Sequence, residues 1–321
     1  MAEAAVLQPV RAYMAVTAAY WAFMLSDGAL RMLVLLQFNG MGFSAVQLAW
    51  LFLLYEAAGM VTNLAAGWIA ARFGLSVTLF AGLGVQVLAL VALAQLDPGW
   101  SIGASVLFVM AVQGASGVAK DLAKMSSKSA VRLLAPEGEE GRLFRWVALL
   151  TGSKNAVKGV GFFLGAALLA VFGFAAAVWA MAAVLAAILV AVWLTLPPGL
   201  PTGKKGVKMT AIWSRDARVN RLSLARMWLF GARDVWFVVA LPIDFQAVLA
   251  DGAPEGRRMA FFLVGGFMAL WIMVYGAVQA LTPRLLGAEA GAALVAKARL
   301  WAGRLLPVPL ALAGLAFAAG G

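Results

Sequence analysis

Two lysines one helical turn apart, Lys154 and Lys158, lie within an apolar stretch running from about Trp146 to Phe172. Their spacing puts both on one face of a helix. A charge at the centre of a bilayer costs roughly 2.5–3.5 kcal/mol on insertion scales. Such a pair is kept only where it faces protein, water or an anion. Recognition of an anion is the chemistry these residues offer, with Ser153 and Asn155 adding hydrogen-bonding capacity. The competing reading is packing, in which the lysines pair with Asp27 or Asp234 on other helices. Gly152, Gly159, Gly161 and Gly165 on the same segment would allow close helix approach.

The remaining intramembrane charges extend this pattern. Arg31 and Arg233 fall near mid-depth of their apolar runs, and the planar guanidinium fork suits carboxylate or phosphate-like oxyanions. Pairing with Asp27 and Asp234 is equally open; Asp27 and Arg31 are four apart, so a bond within one helix is easy. Lys120, Lys124 and Lys128 form a stripe that approaches the cytoplasmic surface, with Gln113 and Ser116 on roughly the same face. It reads as a funnel for cytoplasmic anions or as snorkelling lysines. Arg226 reads as interfacial. Glu56 stands as a lone acid in its span, read as a proton carrier or as the structural counter-ion of a cation. The apolar runs hold seven cations (Arg31, Lys120, Lys124, Lys154, Lys158, Arg226, Arg233) and four acids (Asp27, Glu56, Asp121, Asp234). Buried charges need partners, so the surplus of cations points to an anionic ligand.

The chain around these residues is 321 residues long, 64% hydrophobic and 12% charged. That is too apolar for a soluble domain, and uninterrupted apolar runs of about 20 residues read as membrane spans. The expected fold class is an all-α polytopic membrane protein. Its spans fall near 12–37, 44–70, 76–95, 102–125, 146–172, 174–196, 220–244, 259–282 and 305–321, nine in all. The first run holds Asp27 and Arg31 and follows Glu3 and Arg11 rather than a basic leader, so it is read as a retained span. With the N-terminus inside, sixteen loop Lys and Arg residues lie inside and only Arg257 and Arg258 outside. That asymmetry predicts a cytoplasmic N-terminus.

The connector 197–219, with Pro197, Pro198, Pro201 and a basic cluster, reads as a cytoplasmic linker. It would join a six-helix half, 1–196, to a second, partial half, 220–321. Asp27 and Arg31 in span 1, and Arg233 and Asp234 in span 7, look like a weak repeat between the halves. Spans 3, 6 and 9 carry no charge, so every third helix is expected to face lipid.

The chain has no cysteine and no histidine. Thiol chemistry, histidine acid–base chemistry and the usual zinc or haem ligand sets are excluded. No metal site, cofactor or nucleophile motif is expected, and the chain reads as a transporter rather than an enzyme. The net charge of +11 reports membrane orientation, not nucleic-acid binding. Any proton coupling must use Asp27, Glu56, Asp121 or Asp234.

Span 2 ends Gly67-Trp68-Ile69-Ala70-Ala71-Arg72-Phe73-Gly74, which resembles the major facilitator loop motif Gly-x-x-x-Asp-Arg-x-Gly, with Ala71 at the Asp position. Longer runs carry a finer resemblance: Tyr20-Trp21-Ala22-Phe23 and Ser26-Asp27-Gly28-Ala29-Leu30-Arg31, Ala119-Lys120-Asp121-Leu122 through Ala130, Thr151-Gly152-Ser153-Lys154-Asn155, and Phe230-Gly231-Ala232-Arg233-Asp234 through Pro242. Together they resemble the ArsJ-type organoarsenical efflux permeases of the major facilitator superfamily. The resemblance implies an exporter of 1-arseno-3-phosphoglycerate, powered by protons and located in the bacterial inner membrane. It implies a functional partnership with the glyceraldehyde-3-phosphate dehydrogenase that makes this ester, and arsenate resistance as the outcome. A full member has twelve spans, so a nine-span chain is expected to be C-terminally truncated. Two other readings stand beside this one: an exporter of another organic anion, sugar phosphate or drug, and a non-transporting membrane fragment.

Overall fold

Long apolar segments form helices here because lipid offers the backbone no hydrogen-bond partners. The computed structural model describes residues 2–97, 99–131, 140–196, 202–203, 216–234, 237, 240–249, 254–287 and 292–320. Eleven helices are formed among them: α1 (Ala2–Gly40), α2 (Ala45–Phe73), α3 (Leu75–Leu93), α4 (Ile102–Val131), α5 (Glu140–Phe172), α6 (Phe174–Thr195), α7 (Ala217–Asp234), α8 (Leu241–Leu249), α9 (Pro254–Leu286), α10 (Ala292–Leu305) and α11 (Pro307–Gly320).

Local chemistry sets their ends. Ser44 accepts a hydrogen bond from the Gln47 amide at 3.4 Å, and the Gln47 side chain accepts one from the Ser44 amide at 2.8 Å. This reciprocal cap starts α2. Gly74 (φ 84°) and Gly173 (φ 75°) are one-residue turns joining α2 to α3 and α5 to α6. Only glycine adopts that conformation without strain.

Six described helical segments are long and apolar enough to cross a membrane: Arg11–Gly40, Leu75–Leu93, Ile102–Val131, Phe144–Phe172, Phe174–Thr195 and Met259–Leu286. They coincide with six of the nine expected spans. The span expected at 44–70 is the 29-residue α2, about 43 Å long at 1.5 Å per residue. Around 220–244 the helix α7 stops at Asp234 and α8 starts at Leu241. The last expected span is α11, only 14 residues, about 21 Å against a hydrocarbon core of about 30 Å. The basic region expected as a connector before it forms α10 instead, because its Ala, Leu, Lys and Arg content favours helix.

Helix α1 is the axis of the bundle. In its most apolar window 83% of residues are buried, against 33–44% in the other five segments. It packs against α4, α5 and α6; α2 and α3 pack on α4, α3 on α6, and α5 lies between α1 and α9. The glycines expected to allow close approach do so. A Cβ on Gly161 or Gly165 would run into the carbonyls of Leu25 or Ala29 in α1, and one on Gly152 would lie 2.8 Å from the Ala280 amide in α9. The uncharged α3 and α6 pack on one another and carry apolar outer surfaces, with Leu88, Val184, Val190, Trp193 and Leu194 all exposed.

Past α6 the chain returns to the α2–α3 turn, where Thr202 forms an isolated antiparallel bridge with Gly74. The rest of the expected linker, apart from 203 and 216–219, lies outside the described residues.

Candidate functional site

The central helix α1 carries Asp27 and Arg31, and both are buried. The bond within one helix expected as one option does not form. One Asp27 oxygen lies 2.8 Å from the Lys158 ammonium of α5, and the other accepts a hydrogen bond from the Tyr55 hydroxyl of α2. With both oxygens engaged by neighbouring helices, Arg31 turns to α2 and forms an ion pair with Glu56. Glu56, expected as a lone acid, therefore has a cationic partner. The Arg31 guanidinium also lies 3.9 Å from the centre of the Tyr55 ring.

From α4, Lys120 places its ammonium 4.0 Å from the centre of that same ring. Gly59 of α2 makes room beside it: a Cβ there would lie 3.5 Å from the Lys120 ammonium and 3.1 Å from an Asp121 oxygen. Lys124 pairs with Asp121 at 2.7 Å and donates to Asn63 of α2 at 3.0 Å. The stripe Lys120–Lys124 thus faces α2 and the acids, with Lys128 exposed beyond it.

These contacts sort the charges. Arg31, Lys158 and Lys124 each take one of the three acids Glu56, Asp27 and Asp121. Lys120 and Lys154 have no carboxylate partner among the described residues. Lys154 is partly buried. Among the described residues these two cations stand without a carboxylate, and a charge inside a bundle calls for a partner.

Other expected residues face elsewhere. Asn155 donates to the Gln279 carbonyl of α9, and the Gln279 amide donates to the Tyr275 hydroxyl at 3.0 Å. Asn155 therefore joins α5 to α9. Ser153 accepts from the Trp21 indole at 3.1 Å. The Ser116 hydroxyl is used in packing: it donates to the Gln86 side chain of α3 at 2.6 Å. The side chains of Arg226, Arg233 and Asp234, all in α7, lie outside the described residues. Tyr55 was missed from the sequence, although a signal was present. A tyrosine in an apolar span needs a partner for its hydroxyl, and Tyr55 directly precedes Glu56.

No known protein-family profile matches the sequence, and no curated protein matches it. Among solved structures, the chain is similar to a crystal structure of the peptide transporter POT in complex with sulfate, at a TM-score of 0.50 and 17% sequence identity. The match covers 88% of this chain and 70% of that one. At that identity the likeness speaks to the fold alone, an all-α fold of packed membrane-length helices.

Proposed function

We propose that this chain is a transporter of the major facilitator type that binds an organic anion among α1, α2, α4 and α5 and moves it by alternating access. The observation that carries this reading is the pair of interior cations, Lys120 and Lys154, that have no carboxylate among the described residues after three ion pairs have taken Asp27, Glu56 and Asp121. Lys120 and Lys154 contact the anion. Arg31 and Lys158 flank it and can exchange their carboxylates for it; Arg233, by its sequence position in the second half, is a further candidate ligand. Asn155 acts through its bond to Gln279, holding α5 against α9.

Asp27, Glu56, Asp121 and Asp234 are the residues on which a coupling proton could reside. A proton on Asp27 would release Lys158 toward the anion, and one on Glu56 would release Arg31. That exchange couples proton binding to substrate binding. The organisation suited to it is a six-helix half over 1–196, a basic linker over 197–219 and part of a second half over 220–321, with the halves rocking about the site. The distribution of loop cations supports a cytoplasmic N-terminus, and the family resemblance implies the bacterial inner membrane.

The substrate suggested by the ArsJ-type resemblance is 1-arseno-3-phosphoglycerate, exported to give arsenate resistance. Its phosphate and arsenate groups suit a site with spare cations. The test is arsenate accumulation by everted vesicles containing the chain, supplied with glyceraldehyde-3-phosphate dehydrogenase, glyceraldehyde 3-phosphate, NAD and arsenate. Uptake that is lost in Lys120→Ala and Lys154→Ala, with folding intact, is the expected result. Uptake unchanged in both variants removes these lysines from the site. Uptake of other anions but no arsenate would refute the organoarsenical substrate and keep the anion transporter.

A further inference from the structure

The turn between α2 and α3 gathers cations where the chain leaves the lipid. Gly74 joins two long apolar helices in a single residue, so the turn lies at a membrane surface. Arg72, in the last turn of α2, is exposed. Its guanidinium lies 5.5 Å from the centre of the Trp68 ring and 5.9 Å from that of Phe73. The two rings meet edge to face at 6.1 Å. Aromatic rings beside a long basic side chain suit the headgroup level of a bilayer. No carboxylate pairs with Arg72 among the described residues.

The chain comes back to this turn after α6. Thr202 forms its antiparallel bridge with Gly74, and Gly203 packs on the backbone at Arg72. A Cβ on Gly203 would run into the Arg72 carbonyl and lie 2.6 Å from the Phe73 amide, so only glycine fits. Lys204 and Lys205 follow directly, and two chain links reach no further than about 8 Å. Their backbones therefore start beside Arg72. From Lys204 to Arg221 the sequence holds six Lys and Arg against one acid, Asp216. Like charges gathered in this way repel one another unless an anion lies among them.

We propose that this corner, made of Arg72, Lys204 and Lys205, binds the phosphate headgroup of an anionic phospholipid. It stands apart from the interior charges of α1, α2, α4 and α5 and does not rest on the anion-transport reading. Its place at the membrane surface, the exposed Phe73 ring beside it and its excess of cations together fit a lipid, which offers a charged head and an apolar tail at one point. The bridge and the close seat of Gly203 hold the two lysines at the turn. A bound headgroup thus ties the segment after α6 to the bilayer.

The test titrates the full chain in detergent with phosphatidylglycerol or with phosphatidylcholine of the same acyl chains, and reads bound lipid by native mass spectrometry. Each basic residue at an anionic lipid surface contributes roughly fivefold in affinity, so phosphatidylglycerol should be preferred by at least about tenfold. Lys204→Gln with Lys205→Gln should remove most of that preference, whereas Lys204→Arg with Lys205→Arg should keep it. Gly203→Ala keeps every charge but cannot seat against Arg72, and should lower the preference by about fivefold, the share of one misplaced lysine. Equal retention of the two lipids, or a preference that survives the Gln pair, would overturn the site. A preference untouched by Gly203→Ala would overturn the docked corner in favour of unlocalised charge. Displacement of phosphatidylglycerol by an equal concentration of glycerol 3-phosphate would overturn the lipid in favour of a soluble phosphate ester. Each of these failures leaves anion transport standing, because no variant touches the interior lysines.

Discussion

The hydroxyl and the ring of Tyr55 do different work, and two substitutions separate them. Tyr55→Phe removes the hydrogen bond to Asp27 and leaves the ring in place. Asp27 is 1% exposed, so no bulk water replaces the lost donor. A hydrogen bond to a charged group contributes about 1.5–3 kcal/mol. Lys158 remains 2.8 Å away and continues to neutralise the carboxylate, which puts the loss near the lower end of that range. The ring contacts to Arg31 and Lys120, at 3.9 and 4.0 Å, persist, so anion affinity should change by less than about twofold. Tyr55→Leu removes the ring as well. Two cation–π contacts, each about 0.5–2 kcal/mol, are then lost together, adding about 1–4 kcal/mol of destabilisation and freeing Lys120 to drift toward the acids. Anion affinity should fall at least about tenfold. Unfolding in mixed micelles followed by circular dichroism reads the first quantity, and calorimetric titration with 3-phosphoglycerate the second. Equal losses of affinity in the Phe and Leu variants, or an unchanged stability in Tyr55→Phe, would refute this division of labour.

Two further outcomes are expected. Lys158→Ala strips Asp27 of its counter-ion and should cost about 3–5 kcal/mol of stability; adding Asp27→Asn to it should recover most of that loss, and a double variant no more stable than the single would refute the pair. Orientation can be read on a chain that has no cysteine of its own. Trp100→Cys, between α3 and α4, should react with a membrane-impermeant maleimide in intact cells, whereas Thr202→Cys, beside the α2–α3 turn, should react only after lysis; the reverse pattern would place the N-terminus outside.

Hydropathy alone made the helices at α1, α3, α4, α5, α6 and α9 legible. A segment that must satisfy its own backbone in lipid has one structural solution, and its length is set by the bilayer. The glycine faces of α5 were legible for a related reason, since small residues in an apolar helix mark where another backbone comes close. The expectation weakened past α6, where apolar runs are short. There part of the stretch between α7 and α8 lies outside the described residues, and a basic segment becomes α10, because helix propensity needs no apolar face to declare itself.

The composition and order of residues by themselves determined that this is a helical membrane protein with more interior cations than acids. They also placed each charge on its helix. Only the tertiary structure decided which charge meets which. Arg31 took Glu56, 25 residues on in the next helix, because Tyr55 and Lys158 had already occupied both oxygens of Asp27. Asn155 turned to Gln279, while its neighbour Lys154 has no carboxylate partner among the described residues. Pairing is a contest among several nearby partners for a limited number of oxygens, settled by interhelix distances. Sequence spacing sets such distances within one helix and is silent about them between helices.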